Sequence, residues 1–111
     1  MIKVITLLKR KPGLSLEEFY TYWRERHSQV ALRDNPDMLK YVQNHGVIMP
    51  EGEQEYDGVA ETYWPDMATF QAAVEALQST DAGKAHVEDL DRFVDLTRMV
   101  SIVTQENVIK G

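Results

Sequence analysis

Three histidines are the side chains of this 111-residue chain best suited to move protons. Imidazole titrates near neutrality and both accepts and donates a proton at physiological pH. His27 ends the stretch FYTYWRERH. At 100° per residue, Leu16, Phe19, Tyr20, Trp23, Val30 and Ala31 share one third of a helix circumference, and His27 falls inside that apolar arc. Burial against Trp23 and Tyr20 favours the neutral ring, which is a base. A core histidine donating to a carbonyl fits the same position, and of the two readings it asks for less.

His45 closes YVQNH, where strand alternation places Tyr41, Gln43 and His45 on one face and Val42, Asn44 and Ile48 on the other. Burying Tyr, Gln and His in succession without partners is expensive, so that face reads as a polar pocket wall. Equally, His45 beside Gly46 reads as a solvated strand end. Glu61 interrupts VAETY and shares a face with Val59 and Tyr63. It can orient an imidazole through a carboxylate hydrogen bond, or stand as a solvated edge residue. Tyr20, Trp23, Tyr41 and Tyr63 offer flat walls for an aromatic substrate, or plain core. His86, among the charges of GKAHVEDLD, reads as surface.

Several chemistries find no residues to carry them. The chain has no cysteine, which removes disulfides, thiolates and cysteine-based metal sites. It has no HxH or HExxH pair, no phosphate-cradling glycine loop and no GxSxG. The expectation is therefore no metal and no cofactor. With 18 acidic and 12 basic side chains the formal charge is −6, which argues against a nucleic-acid partner. The basic run Lys9, Arg10 and Lys11 reads as a solvated strand end. No apolar run is long enough for a membrane span and MIKVITLLKRKPG has no signal-peptide cleavage pattern. No membrane partner is expected, and the cytoplasm is the default location.

The elements that must position these residues follow from periodicity and punctuation. Residues 2–9 are β-branched and apolar and stop at Pro12-Gly13, a strand and a turn. Ser15 and Glu18 have capping-box spacing and open a helix that runs to Arg33, before Asp34-Asn35-Pro36. Residues 38–48 form a second strand, PEGEQEYDG a loop, and GVAETYW a third strand. Asp66 caps a helix whose Met67, Phe70, Val74 and Leu77 repeat at helical spacing. Residues 79–95 hold a short helical turn after a break at Asp81-Ala82-Gly83, and 96–105 form the last strand. The order βαββαβ is the ferredoxin-like α+β arrangement, a four-stranded antiparallel sheet with two helices on one face, in one domain spanning 1–111. VITLL and MVSIV are nearly continuous apolar runs, as in strands covered on both sides. A second copy of the bare sheet face covers it most simply, giving a two-fold homodimer; segment 79–95 folding over the sheet is the alternative.

The stretches LLKRKPGLSLEEFYTYWRERH, YVQNH and YDGVAETYW, with FVD at 93–95, resemble the EthD family of small dimeric α/β-barrel proteins along nearly the whole chain. The most specific parts are Phe19, Tyr22, Trp23 and His27, with Tyr41 to His45. In one departure, Ser28-Gln29 follows His27 where the family often has Ala-Pro. The resemblance implies a ferredoxin-like subunit whose sheets pair into a barrel, with a pocket in each subunit. It implies a cofactor-independent acid–base enzyme, a dehydratase, isomerase or cyclase, acting on a small aromatic or lactone-like metabolite. His27 is then the base and His45 the second acid–base group, or an electrophilic hydrogen-bond donor, in the same cavity. Tyr20, Trp23, Tyr41, Gln43, Asn44, Glu61 and Tyr63 are the expected substrate-binding residues. A haem-handling or cofactorless monooxygenase and a non-enzymatic small-molecule-binding protein are the alternatives.

Overall fold

The computed structural model describes residues 1–111. Strand β1 (Ile2–Leu8) leads to a long helix built in three pieces. These are α1 (Leu16–Tyr22), a π-helical turn (Trp23–His27) and α2 (Ser28–Asp34). Then come β2 (Lys40–His45), β3 (Gly58–Trp64), α3 (Met67–Ser79), α4 (Asp81–Asp91), a 3-10 turn (Leu96–Arg98) and β4 (Val100–Thr104). The sheet order is β2-β3-β1-β4 and every pairing is antiparallel. That is the ferredoxin-like α+β topology. No helix is long and apolar enough to cross a membrane.

Local chemistry sets the boundaries. The Ser15 hydroxyl accepts from Glu18 N at 3.1 Å while Ser15 N donates to the Glu18 carboxylate at 2.9 Å, the reciprocal box that starts α1. Asp66 caps α3 by accepting from Thr69 N at 2.7 Å. The last strand begins at Val100 rather than 96, because the Asp95 carboxylate accepts from Thr97 N and Oγ1 and winds Leu96–Arg98 into a 3-10 turn. The second strand is likewise shorter than 38–48, since the chain leaves the sheet after Gly46.

Segment 79–95 departs most from expectation. It is an eleven-residue helix, capped by the Thr80 hydroxyl accepting from Gly83 N at 2.9 Å. Gly83 does not break it. A Cβ there would collide with the carbonyls of Leu77 and Ala76, so glycine lets α4 press against the end of α3. The helix layer thus has three helices, with α4 packed on α2 and α3 rather than across the open sheet face.

Two apolar clusters fill the space between helices and sheet. One gathers Leu8, Phe19, Trp23, Phe93 and Val94, and the other Ile2, Val4 and Trp64. Gly58 matters to the first: a Cβ at that position would lie 2.6 Å from Trp23 Cζ3, so the indole rests directly on the backbone of β3. The basic run does not simply meet solvent. Arg10 N donates to Asp57 Oδ2 at 2.8 Å, and the Arg10 guanidinium and Lys9 ammonium pair with the same buried carboxylate. A charge buried that deeply demands such partners. On the side of the sheet away from the helices, cross-strand register aligns Ile5, Leu7, Val42, Val59, Val100 and Ile102.

Candidate active site and family

His27 lies at the end of the π turn with its ring buried. Its Nδ1 donates to Asp89 Oδ2 at 2.7 Å, and Asp89 Oδ1 accepts from the Tyr22 hydroxyl at 2.5 Å. Arg92 approaches that carboxylate from 3.9 Å. The carboxylate fixes the tautomer, so the lone pair sits on Nε2. Nε2 makes no hydrogen bond within the protein, where Nδ1 alone is engaged. Burial holds the His27 pKa below its ordinary 6.5, against the Asp89 hydrogen bond that raises it. Burial pushes Asp89 upward, but Tyr22 and His27 outweigh it and the carboxyl titrates below its ordinary range.

His86, expected at the surface, is buried and its ring stands edge-on to His27 with centroids 4.9 Å apart. Its Nδ1 lies 3.3 Å from Asp34 Oδ2. The two imidazoles that meet are thus His27 and His86, each with its own carboxylate, at the junction of the first helix with α4. Phe93 completes the wall, 5.1 Å from the His27 ring centroid. A cavity of about 340 Å³ borders His86, Asp34 and Asn35.

His45 lies elsewhere. It stacks on Tyr20 at 4.8 Å and on Trp23 at 5.0 Å, the planes within 18° of parallel. Its Nε2 is 2.9 Å from Gln43 Oε1. The Gln43 amide nitrogen donates to the Trp23 carbonyl at 3.0 Å and to the Tyr41 hydroxyl at 3.1 Å, so the oxygen faces the imidazole and Nε2 carries the hydrogen. Trp23 Nε1 also donates to the Tyr41 hydroxyl, at 3.0 Å. Burial lowers the His45 pKa and the nearby Arg24 charge adds to this. Five expected residues, Tyr20, Trp23, Tyr41, Gln43 and His45, come together here. Beside them runs a groove of about 370 Å³ between Arg24, Ser28 and Leu32 of the helix and residues 38–41 and Gln43.

Two expectations need correction. His27 and His45 do not share a cavity: His27 faces α4, while His45 is held against Tyr20 and Trp23 on the β2 side of the helix. Asn44, Glu61 and Tyr63 are not with either, because register puts them on the opposite side of the sheet from Tyr41, Gln43 and His45. Glu61 bonds Lys3 at 3.0 Å rather than a histidine, and Tyr63 stands with Lys3, Lys40 and Glu106. Sequence reasoning missed Tyr22, Asp34, His86 and Asp89 as members of a site. Their one sequence signal was the i, i+3 pair His86 and Asp89, which places both on one flank of a helix.

Comparison with solved structures places the chain among ferredoxin-like proteins. An EthD family protein from Bacillus halodurans C-125 is 24% identical, covers 96% of this chain and 99% of that one, and superposes with a TM-score of 0.72. A dimeric protein of ferredoxin-like fold from Bacteroides fragilis NCTC 9343 is 10% identical over 95% of both chains, with a TM-score of 0.62. SnoaB, a cofactor-independent oxygenase from Streptomyces nogalater, is 12% identical over 99% of this chain and 97% of that one, with a TM-score of 0.66. No curated protein matches the chain. The EthD domain model matches residues 11–97, most of the sequence, and the chain belongs to the EthD family.

Proposed function

We propose that this protein is a cofactor-independent acid–base enzyme acting on a small aromatic or lactone-like metabolite, with His27 as the base. The reaction is a dehydration, isomerisation or cyclisation, each beginning with removal of a proton. The observation that supports this most is the Asp89–His27 pair at 2.7 Å, with Tyr22 bracing the carboxylate and Nε2 left free. A carboxylate holding a buried imidazole in one tautomer is the arrangement general-base catalysis requires. His27 takes the proton at Nε2, and Asp89 stabilises the imidazolium that forms without itself becoming protonated. His45, on β2, packs against a different flank of the helix and takes no part in that transfer.

Deuterium incorporation tests this reading. A panel of aromatic ketones and lactones with acidic C–H bonds is incubated in D2O, and exchange is followed by NMR. Exchange by the wild type should fall about 10²- to 10⁴-fold in His27→Ala, with circular dichroism and oligomeric state unchanged. Full exchange by a folded His27→Ala protein refutes it. Cofactor-independent oxygenation is a second reading, favoured by the likeness of fold to SnoaB. Oxygen uptake stoichiometric with substrate loss selects it over the first.

We also propose a homodimer formed through the open sheet face, where Val100 and Ile102 are 42% and 52% exposed on the free subunit. The dimeric ferredoxin-like neighbour supports this arrangement.

A further inference from the structure

The hydrogen bonds around Tyr41 run in one direction. His45 donates to Gln43, Gln43 donates to the Tyr41 hydroxyl, and the Trp23 indole donates to the same oxygen. A phenolic oxygen has two acceptor sites, and both are taken. The hydroxyl proton is thus left for something outside the protein, since no protein acceptor receives it. Donation into that oxygen polarises the O–H bond and makes it a stronger donor. Tyr41 lines the groove between the first helix and β2.

The groove's charge is as telling. The chain carries a formal charge of −6, yet Arg24 borders this groove and no carboxylate does. The carboxylate nearest Arg24 is that of Glu25, an exposed neighbour at 3.7 Å, a pairing too solvated to neutralise the guanidinium. Leu32, Met38 and Leu39 supply an apolar floor. The volume of about 370 Å³ is that of a small-molecule pocket.

We propose that this groove binds a small organic anion, an apolar or aromatic carboxylate whose oxygen accepts the Tyr41 proton and whose charge faces Arg24. Its body lies on Leu32, Met38 and Leu39. His27 is not in the groove, so this site and the proton-transfer site stand or fall separately.

Trp23 and Trp64 give an internal comparison, because Trp23 Nε1 bonds Tyr41 whereas Trp64 Nε1 bonds Thr62 in the other apolar cluster. The protein labelled with ¹⁵N is titrated with 2-naphthoate and, separately, with the uncharged 2-naphthalenemethanol. Naphthoate should shift the Trp23 indole resonance and leave that of Trp64 in place, and the alcohol should bind about 10-fold or more weakly, the size of a hydrogen bond to a charged group. Tyr41→Phe should weaken naphthoate by a similar factor. That variant strands two donors, so Arg24→Gln, at an exposed position, is measured beside it and should also weaken naphthoate. His27→Ala should bind naphthoate as the wild type does. Equal affinity for acid and alcohol, wild-type affinity in Arg24→Gln, or a Trp23 resonance indifferent to millimolar naphthoate overturns the proposal.

Discussion

At the scale of single residues, the His27 environment sets a pH dependence whose direction can be worked out. The ring must be neutral to act as a base, and burial holds its pKa below 6.5. The acid limb of the rate profile should therefore lie below pH 6.5. The charged groups facing His27 pull in known directions: Asp89 and Asp34 raise its pKa and His86 lowers it. Asp89→Asn should move the acid limb further down in pH, and His86→Gln should move it up. Rates measured from pH 4 to 8 on the three proteins check both shifts, and a limb unmoved by either substitution argues that His27 is not the titrating base. Stability follows the same logic. Between the folded pKa of His27 and 6.5 the unfolded chain binds more protons than the folded one, so stability is lost as pH falls through that window. The lowered pKa of His45 acts in the same sense.

At the scale of elements, the first helix carries the two proposed sites on two flanks, and the π turn at Trp23–His27 lies between them. Wide turns of this kind are frequent where a helix carries functional side chains. Trp23 anchors the turn: it is 1% exposed, seated on Gly58 and stacked on His45. That seating depends on a missing side chain. Gly58→Ala introduces a methyl into filled space against an indole with nowhere to move, so it should cost about 1–3 kcal/mol, the usual range for overpacking. Urea unfolding monitored by tryptophan fluorescence measures it. A loss near zero would mean that β3 or the helix shifts freely, and the position of the Tyr41 network would then be soft. The α4 helix is as consequential, since it brings Asp89 and His86 to His27.

At the scale of the molecule, the sheet is the feature a lone subunit leaves unfinished. One face is covered by three helices, while the other presents Ile5, Leu7, Val42, Val59, Val100 and Ile102 in register. Lys3 bridges Glu61 and Glu106 at 3.0 and 2.9 Å at one end of that face. Glu61 stands between Val42 and Ile5 on this face, and the apolar side chains of β3, β1 and β4 beside it are of the kind that mark an interaction surface. Ile102→Glu places a charge in the proposed interface, on the edge strand β4, and should convert the dimer to monomer, as read by sedimentation velocity at micromolar concentration. A wild-type protein that sediments as a monomer at the same concentration refutes the interface. Neither His27 nor the Tyr41 groove lies on that face, so the monomeric variant should keep its naphthoate binding.

What the sequence determined by itself is the part governed by short-range chemistry. The apolar runs 2–8 and 58–64, the Ser15–Glu18 box and the Asp66 cap each act within a few residues, and the βαββαβ order follows from them. Strand alternation also separated Tyr41, Gln43 and His45 from Asn44 correctly, because the side-chain period of a strand is local geometry. The tertiary structure alone decided which imidazoles meet. His27 and His86 are far apart in the chain, and their approach depends on Gly83 letting α4 settle against α3. Periodicity at 100° per residue put His27 on the buried side with Phe19, Trp23 and Ala31, but the π turn left no mark in residue type, and which neighbours the ring meets there was set by tertiary packing. Hydrogen-bond direction was likewise invisible in the chain: that the Tyr41 oxygen is doubly occupied, and its proton free, follows from where Trp23 and Gln43 come to rest.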